Sequence, residues 1–126
     1  MMTFTLPWSA LAQDNHRLTT NRRTGQTFTT KRYRTAKAEA EALLLQQNSL
    51  RAAHLTPVSL VAHVWVPDAR RRDIGNLRKL VTDALQNADV VADDCLIHDE
   101  RWIRAGIDRT NPRMVVTIAP LTGGVR

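Results

Sequence analysis

At 126 residues, 43% of them hydrophobic, the chain can build one globular domain with a modest core but has no room for a second. Its formal net charge of +6 points to an acidic partner such as nucleic acid or an anionic surface. Cys95 is the only cysteine, which excludes an intrachain disulfide and a thiolate zinc site; no apolar run approaches the roughly 18 residues that span a bilayer, and the MMTFTLPW start lacks the regions of a signal peptide, so a reducing, cytoplasmic setting with no membrane partner is expected.

Met2, Phe4, Leu6 and Trp8 alternate with Thr3, Thr5 and Pro7, the period of a half-buried strand, and Pro7 suits an edge or a strand end. From 9 to 29 the chain is polar and basic without sustained periodicity. Asn21 to Gly25 resembles a turn there, and the whole stretch reads as an extended or mobile loop that embraces a ligand. Thr29 or Thr30 caps a helix to about Gln47, since Tyr33, Ala36, Ala40, Leu43, Leu44 and Gln47 recur at helical spacing. After Pro57, Val58, Leu60, Ala62, Val64 and Val66 alternate with Ser59, Val61, His63 and Trp65; both sets are rather apolar, the mark of an interior strand. Leu77, Leu80, Val81, Ala84 and Leu85 give a second helix from Gly75 or Asn76 to Asn87, whose polar face carries Arg78, Lys79 and Asp83. Strands over Ile97–Ile107 and Arg113–Ala119 flank a turn at Asp108–Pro112, and 121–126 reads as a frayed tail. The order β-α-β-α-β-β implies one α/β (α+β) domain over 1–126, with two helices and a mixed, largely antiparallel sheet.

Charge is unevenly placed. Up to Lys37 the sole acid is Asp14, against Arg17, Arg22, Arg23, Lys31, Arg32, Arg34 and Lys37, whereas eight of the twelve acids lie between Asp68 and Glu100. The amino-terminal third therefore reads as a surface for phosphates, and the acids need a separate explanation. The segment from 67 to 94 supplies one: Asp73 opens the second helix, Asp93 and Asp94 follow it, and Arg70, Arg71 and Arg72 run beside them. A helix of about 12 residues at roughly 1.5 Å rise puts its ends about 18 Å apart, so these acids meet only if the chain folds back after Asn87. Spacing alone serves two readings. Either Asp73 caps the helix and Asp93-Asp94 make an Asx turn, or the carboxylates converge on a divalent metal that relieves their repulsion, activates water and stabilises charge on a phosphate. Lys79 is then a phosphate clamp or leaving-group stabiliser, or else a solvated helix lysine. His63, Trp65 and Trp102 sit in strand contexts that favour core roles, while His98 and Asp99 are auxiliary candidates. The absence of a Gly-rich phosphate loop, a Ser-His-Asp order or an HExxH motif counts against nucleotide hydrolysis, acyl transfer and zinc proteolysis, and no nucleotide cofactor is expected.

LPW at Leu6–Trp8, DNHR at Asp14–Arg17, PDARRRDIGNLRK at Pro67–Lys79, DAL at Asp83–Leu85 and VADD at Val91–Asp94 together resemble the RusA family of Holliday junction resolvases. The similarity runs in order through nearly the whole chain and is densest from Pro67 to Asp94. It implies a homodimeric, Mg²⁺-dependent endonuclease, with Mn²⁺ as the alternative ion, that recognises four-way junction DNA by shape and cuts two opposing strands in recombination and repair. Such enzymes are often phage- or prophage-borne. By the same resemblance Asp73 and Asp94 are catalytic metal ligands, Asp93 is their acidic neighbour, Lys79 the essential lysine, Arg72 a basic residue needed for junction processing and Asn76 the pattern's asparagine. Arg70, Arg71, Arg17, Arg22, Arg23, Lys31 and Arg32 complete the DNA contacts. Gly75 departs from the pattern, which has a second aspartate there. Three explanations follow: another acid, Asp93 or Asp99, completes the site; the protein is a catalytically impaired binder of branched DNA; or the chain is a crippled or engineered version.

Overall fold

The computed structural model describes residues 1–11, 18–48 and 53–121, and residues 18, 19, 28 and 29 in backbone only. Arg17 and the tail from 122 onward lie outside the described residues. In chain order the elements are β1 (Met2–Pro7), β2 (Leu18–Thr20), β3 (Thr27–Thr29), α1 (Lys31–Gln47), β4 (Val58–Val66), α2 (Arg78–Asn87), β5 (Ile97–Ile107) and β6 (Arg113–Pro120). Four of the strands form one mixed sheet in the order β1-β6-β4-β5. β6 is antiparallel to both β1 and β4, whereas β4 and β5 are parallel.

Two apolar sets put β4 inside this sheet. Val58, Leu60, Ala62, Val64 and Val66 are fully buried, and the alternate residues Ser59, Val61, His63 and Trp65 are half-buried on the other face. Phe4 and Leu6 of β1 and Met114, Val116 and Ile118 of β6 extend the buried face. Against it lie Tyr33, Ala36, Ala40 and Leu44 of α1 and Leu80, Val81, Ala84 and Leu85 of α2. The core is thus one layer of side chains between a sheet and two helices, the α+β architecture expected from the sequence.

Helix α1 begins where Thr30 accepts a hydrogen bond from Tyr33 N–H at 3.2 Å, an N-cap of ordinary form. At its other end Gln47 leaves the helix face and acts as a strand partner. Its amide accepts from Thr5 N–H at 2.8 Å and donates to Thr5 C=O at 2.9 Å, closing part of the β1 edge against further pairing.

Three features differ from the sequence expectation. The stretch read as an irregular loop from 9 to 29 contains the β2–β3 hairpin. Its turn is the one expected at Asn21–Gly25: Asn21 Oδ1 accepts from Arg23 N–H at 2.9 Å, and Gly25 takes a left-handed φ of 73° and donates to Asn21 C=O at 2.8 Å. Strands of three residues are too short to display a period. Trp8 falls in a 3₁₀ turn, Trp8–Ala10, because Pro7 ends β1. Finally, α2 is preceded by a 3₁₀ turn, Ile74–Leu77, in place of a continuous α-helix from Gly75 or Asn76.

Leu60 is fully buried at the sheet centre, whereas Leu55 is 77% exposed. Leu60→Ala is expected to cost about 2–5 kcal/mol in urea unfolding, and Leu55→Ala to stay within about 0.5 kcal/mol. Equal losses at the two positions would contradict this placement of the core.

Candidate functional site

Parallel pairing of β4 with β5 sends the chain over the sheet from Pro67 to Leu96, and this crossover carries the acids and arginines singled out from sequence. It opens with an Asx turn. Asp68 Oδ1 accepts from Arg70 N–H at 2.9 Å and from Arg72 Nη1 at 2.6 Å, and the Arg72 guanidinium also lies 5.5 Å from the centre of the Trp8 ring. Those two donors hold the Asp68 carboxyl down to about 2, the Arg72 bond first. With its side chain only 15% exposed, Arg72 secures the turn to the 3₁₀ segment after β1. Arg70 and Arg71 remain exposed. The Arg104 side chain donates to Arg70 C=O at 3.3 Å and holds the turn from the β5 side.

Asp73 caps the 3₁₀ turn that follows: its Oδ1 accepts from Gly75 N–H at 2.9 Å, and Asn76 N–H donates to Asp73 C=O at 3.2 Å. Asp93 does the same at the far end of the same crossover. Its Oδ1 accepts from Cys95 N–H at 3.0 Å at the start of the turn Asp94–Leu96, a bond that is the main cause of its lowered carboxyl pKa. The same carboxylate pushes the Cys95 thiol up. Asp94 is half-buried, and its N–H donates to the Gln86 side chain at 3.1 Å, which ties it to the last turn of α2. The capping reading of both acid groups is therefore realised. The chain does fold back after α2, through Asp89 at φ 58°, but β5 begins only at Ile97.

Arg78, the first residue of α2, is engaged elsewhere. Its guanidinium makes a two-pronged ion pair with Glu100, whose Oε1 also accepts from Trp102 Nε1 at 2.9 Å, and the charge of Asp94 acts on it as well. The pairing lowers the Glu100 carboxyl pKa, with the Arg78 bond the largest cause. Sequence reasoning put Arg78 on a polar helix face and gave Glu100 no role. The missed signal was the alternation along β5, which turns Glu100, Trp102 and Arg104 toward the helix side and Asp99 toward the opposite face, in register with Ser59. Asp99 thus lies across the sheet from α2. Lys79 is exposed and pairs with Asp83 at 3.1 Å one turn on, a surface pair of small energy. His98 is exposed, His63 is half-buried beside Trp65, and Trp65 lies under the Arg113 guanidinium at 4.2 Å. Arg22 and Arg23 are exposed at the β2–β3 turn, and Lys31 and Arg32 at the start of α1.

Magnesium accepts hard oxygen donors and often only one or two protein carboxylates, with water and substrate phosphate completing its shell. Asp73, Asp93 and Asp94 offer donors of that kind. Among the described residues, however, no three acidic, histidine or cysteine side chains are arranged to hold a metal. The donor set suits the ion in chemistry and falls short of a closed cage.

A family model described as Endodeoxyribonuclease RusA matches residues 7–119. The chain belongs to the RusA family. The match spans the end of β1 through β6, so it takes in the crossover and both of its caps. RusA proteins are endodeoxyribonucleases, hydrolases acting on DNA, and are generally dependent on a divalent metal. No curated relative matches the chain. No helix among the described residues is long and apolar enough to cross a membrane.

The Asp68 carboxyl is held below its ordinary value, so its contribution to stability is complete above about pH 4 and is lost as pH falls through about 2. A carboxyl titration followed by NMR is expected to place Asp68 near 2. Asp68→Asn is expected to flatten the fall of Tm between pH 4 and 2; an unchanged slope would remove Asp68 from the clamp.

Proposed function

We propose that this protein is a Mg²⁺-dependent endonuclease that resolves four-way DNA junctions by paired cuts, acting as a homodimer in DNA recombination and repair. The observation that carries the reading is the family match across the entire crossover, together with retention on it of Asp73, Lys79, Asp93 and Asp94. Asp73 and Asp94 would hold the ion, with Asp93 as their acidic neighbour. When bound, the ion supplies an activated water and charge stabilisation at the scissile phosphate.

The protein's own residues do the rest. Lys79, exposed and only weakly held by Asp83, offers its ammonium to a phosphate or leaving oxygen. Arg70 and Arg71, displayed by the Asp68–Arg72 clamp, meet the backbone beside the site, and Arg22, Arg23, Lys31 and Arg32 extend the basic track from the amino-terminal part. Asn76 fixes its turn through the bond from its N–H to Asp73 C=O. Dimerisation follows from the substrate: a junction has approximate two-fold symmetry, and two identical sites related by a two-fold axis make both cuts. A cytoplasmic, phage- or prophage-borne enzyme fits this role.

One observation favours a second reading, in which the chain binds branched DNA without cutting it. Gly75 contributes no carboxylate, and Glu100 is already neutralised by Arg78.

The two readings separate on a synthetic four-way junction incubated with Mg²⁺. Nicking that Asp94→Asn abolishes while junction binding persists is the outcome expected of the enzyme; a salt-sensitive band shift with no nicking at the same protein level leaves only the binder. Gly75→Asp is expected to raise cleavage about tenfold or more, the scale on which groups around a metal matter. If Arg22, Arg23, Lys31, Arg32, Arg70 and Arg71 each neutralise a phosphate, log Kd should vary with log salt with a slope of about 5.

A further inference from the structure

A cleft of about 420 Å³ opens between the 3₁₀ turn after β1 and the first turns of α1. Trp8, Leu11 and Ala36 give it an apolar wall, and Lys31, Arg32 and Thr35 give it a cationic, hydroxylated rim. Its remaining polar neighbour, Ser9, is held by Glu39 at 3.0 Å. The volume lies in the range of small-ligand sites. Its chemistry is bipartite: a flat aromatic surface for a planar apolar group, and two cations close by for an anion. A nucleotide unit has that composition, its base stacking on an aromatic ring and its phosphate meeting Lys or Arg. The amide at the start of α1 is already served by the Thr30 side chain, so the side chains of the cleft, and not the helix end, define it.

A second contact joins this cleft to the nuclease segment. The Trp8 ring that lines it also carries the Arg72 guanidinium at 5.5 Å, and Arg72 is the residue that clamps the turn displaying Arg70 and Arg71. A group seated on Trp8 is therefore one side chain away from the turn that leads to Asp73.

We propose that this cleft receives one unstacked nucleotide of the bound DNA, its base against Trp8 and Leu11 and its phosphate on Lys31 and Arg32. The inference rests on the nuclease reading and adds a basis for substrate choice. Drawing a base out of a continuous duplex costs stacking and pairing, whereas a branch point presents bases for which that cost is already reduced. The cleft thus favours branched over linear DNA without reading sequence.

The test uses the full chain with Asp94→Asn in the background, so that DNA is bound and not consumed, and a four-way junction carrying 2-aminopurine at the branch point. Binding is expected to raise the fluorescence as the base leaves the stack. Trp8→Ala is expected to abolish that rise and to weaken junction binding about tenfold or more, while affinity for a linear duplex of equal length changes less than about twofold. Thr35→Trp, which fills the cleft from an exposed position and leaves the Trp8–Arg72 contact in place, is expected to give the same pattern, so a Trp8 variant that fails to fold does not decide the matter. A full fluorescence rise and unaltered junction affinity in the Thr35 variant would overturn the assignment. Loss of junction and duplex binding in equal measure would also overturn it, reducing these residues to general phosphate contacts. Failure of the parent protein to bind any DNA would instead bring down the nuclease reading, and the cleft with it.

Discussion

Because β5 runs parallel to β4, the chain cannot turn back at Val66 through a short hairpin; it has to travel the length of the sheet and re-enter at Ile97. The residues from Pro67 to Leu96 make that journey, and the core holds its middle, through Leu77 just before α2, Leu80, Val81, Ala84 and Leu85 within it, and Val90 and Val91 after it. The flanking turns at 68–76 and 92–96 are half-buried or exposed. A crossover of this kind fixes the direction of its helix and leaves the connecting turns to present side chains. The acids and arginines stand on those turns, so their placement depends on the parallel pair and on local caps.

The turns are rigid for specific reasons. Asp68 gathers the Arg70 amide and the Arg72 guanidinium, Asp73 holds the Gly75 amide, Asp93 holds the Cys95 amide, and Asp108 accepts from Thr110 and Asn111 where the chain crosses from β5 to β6. Each carboxylate accepts short-range amide bonds, which is what aspartate does best at a turn. The carboxyls of Asp68, Asp93 and Asp108 are held below their ordinary range, that of Asp68 first by the Arg72 guanidinium and those of Asp93 and Asp108 first by backbone amides. Asp68 also couples distant parts of the chain, since Arg72 reaches across it to Trp8. That contact makes the segment after β1 and the start of the crossover neighbours.

Much of this was legible in the sequence, and the reasons for success and failure are physical. The α1 cap and end at Thr30 and Gln47, the buried set of β4, and the bounds of β5 follow from periodicity, which reports how each residue meets its neighbours along the chain. Strand neighbours do not follow from it. Asp108–Pro112 reads as a simple turn, yet β4 lies between the two strands it joins. Nor does periodicity reveal Gln47 as a partner for Thr5, or Arg78 as a partner for Glu100, because these pairs are set by the fold. At the site, the arginine run looked uniform, but burial divides it: Arg72 faces inward to Asp68 and Trp8, whereas Arg70 and Arg71 face water. The segment from 67 to 94 stood out through its resemblance to the RusA pattern, and the family match spans it.

Gly75 has no role that the fold demands. Among the described glycines only Gly25 has a positive φ, so the backbone at 75 is one that any residue adopts, and the bond from its N–H to Asp73 needs no glycine. What a side chain there would change is Asp73. A Cβ on Gly75 would stand 3.0 Å from Asp73 Oδ1, close enough that the carboxylate has to give by a few tenths of an ångström. An aspartate at 75 would therefore add its own oxygens and shift the Asp73 carboxylate by a few tenths of an ångström within its cap. With glycine, Asp73 settles onto the turn. Capping uses one oxygen, and a carboxylate has two, so cap and ligand are compatible roles for the same residue. Under the proposed endonuclease reading, position 75 would bear on how Asp73 divides itself between them, with the fold left unchanged.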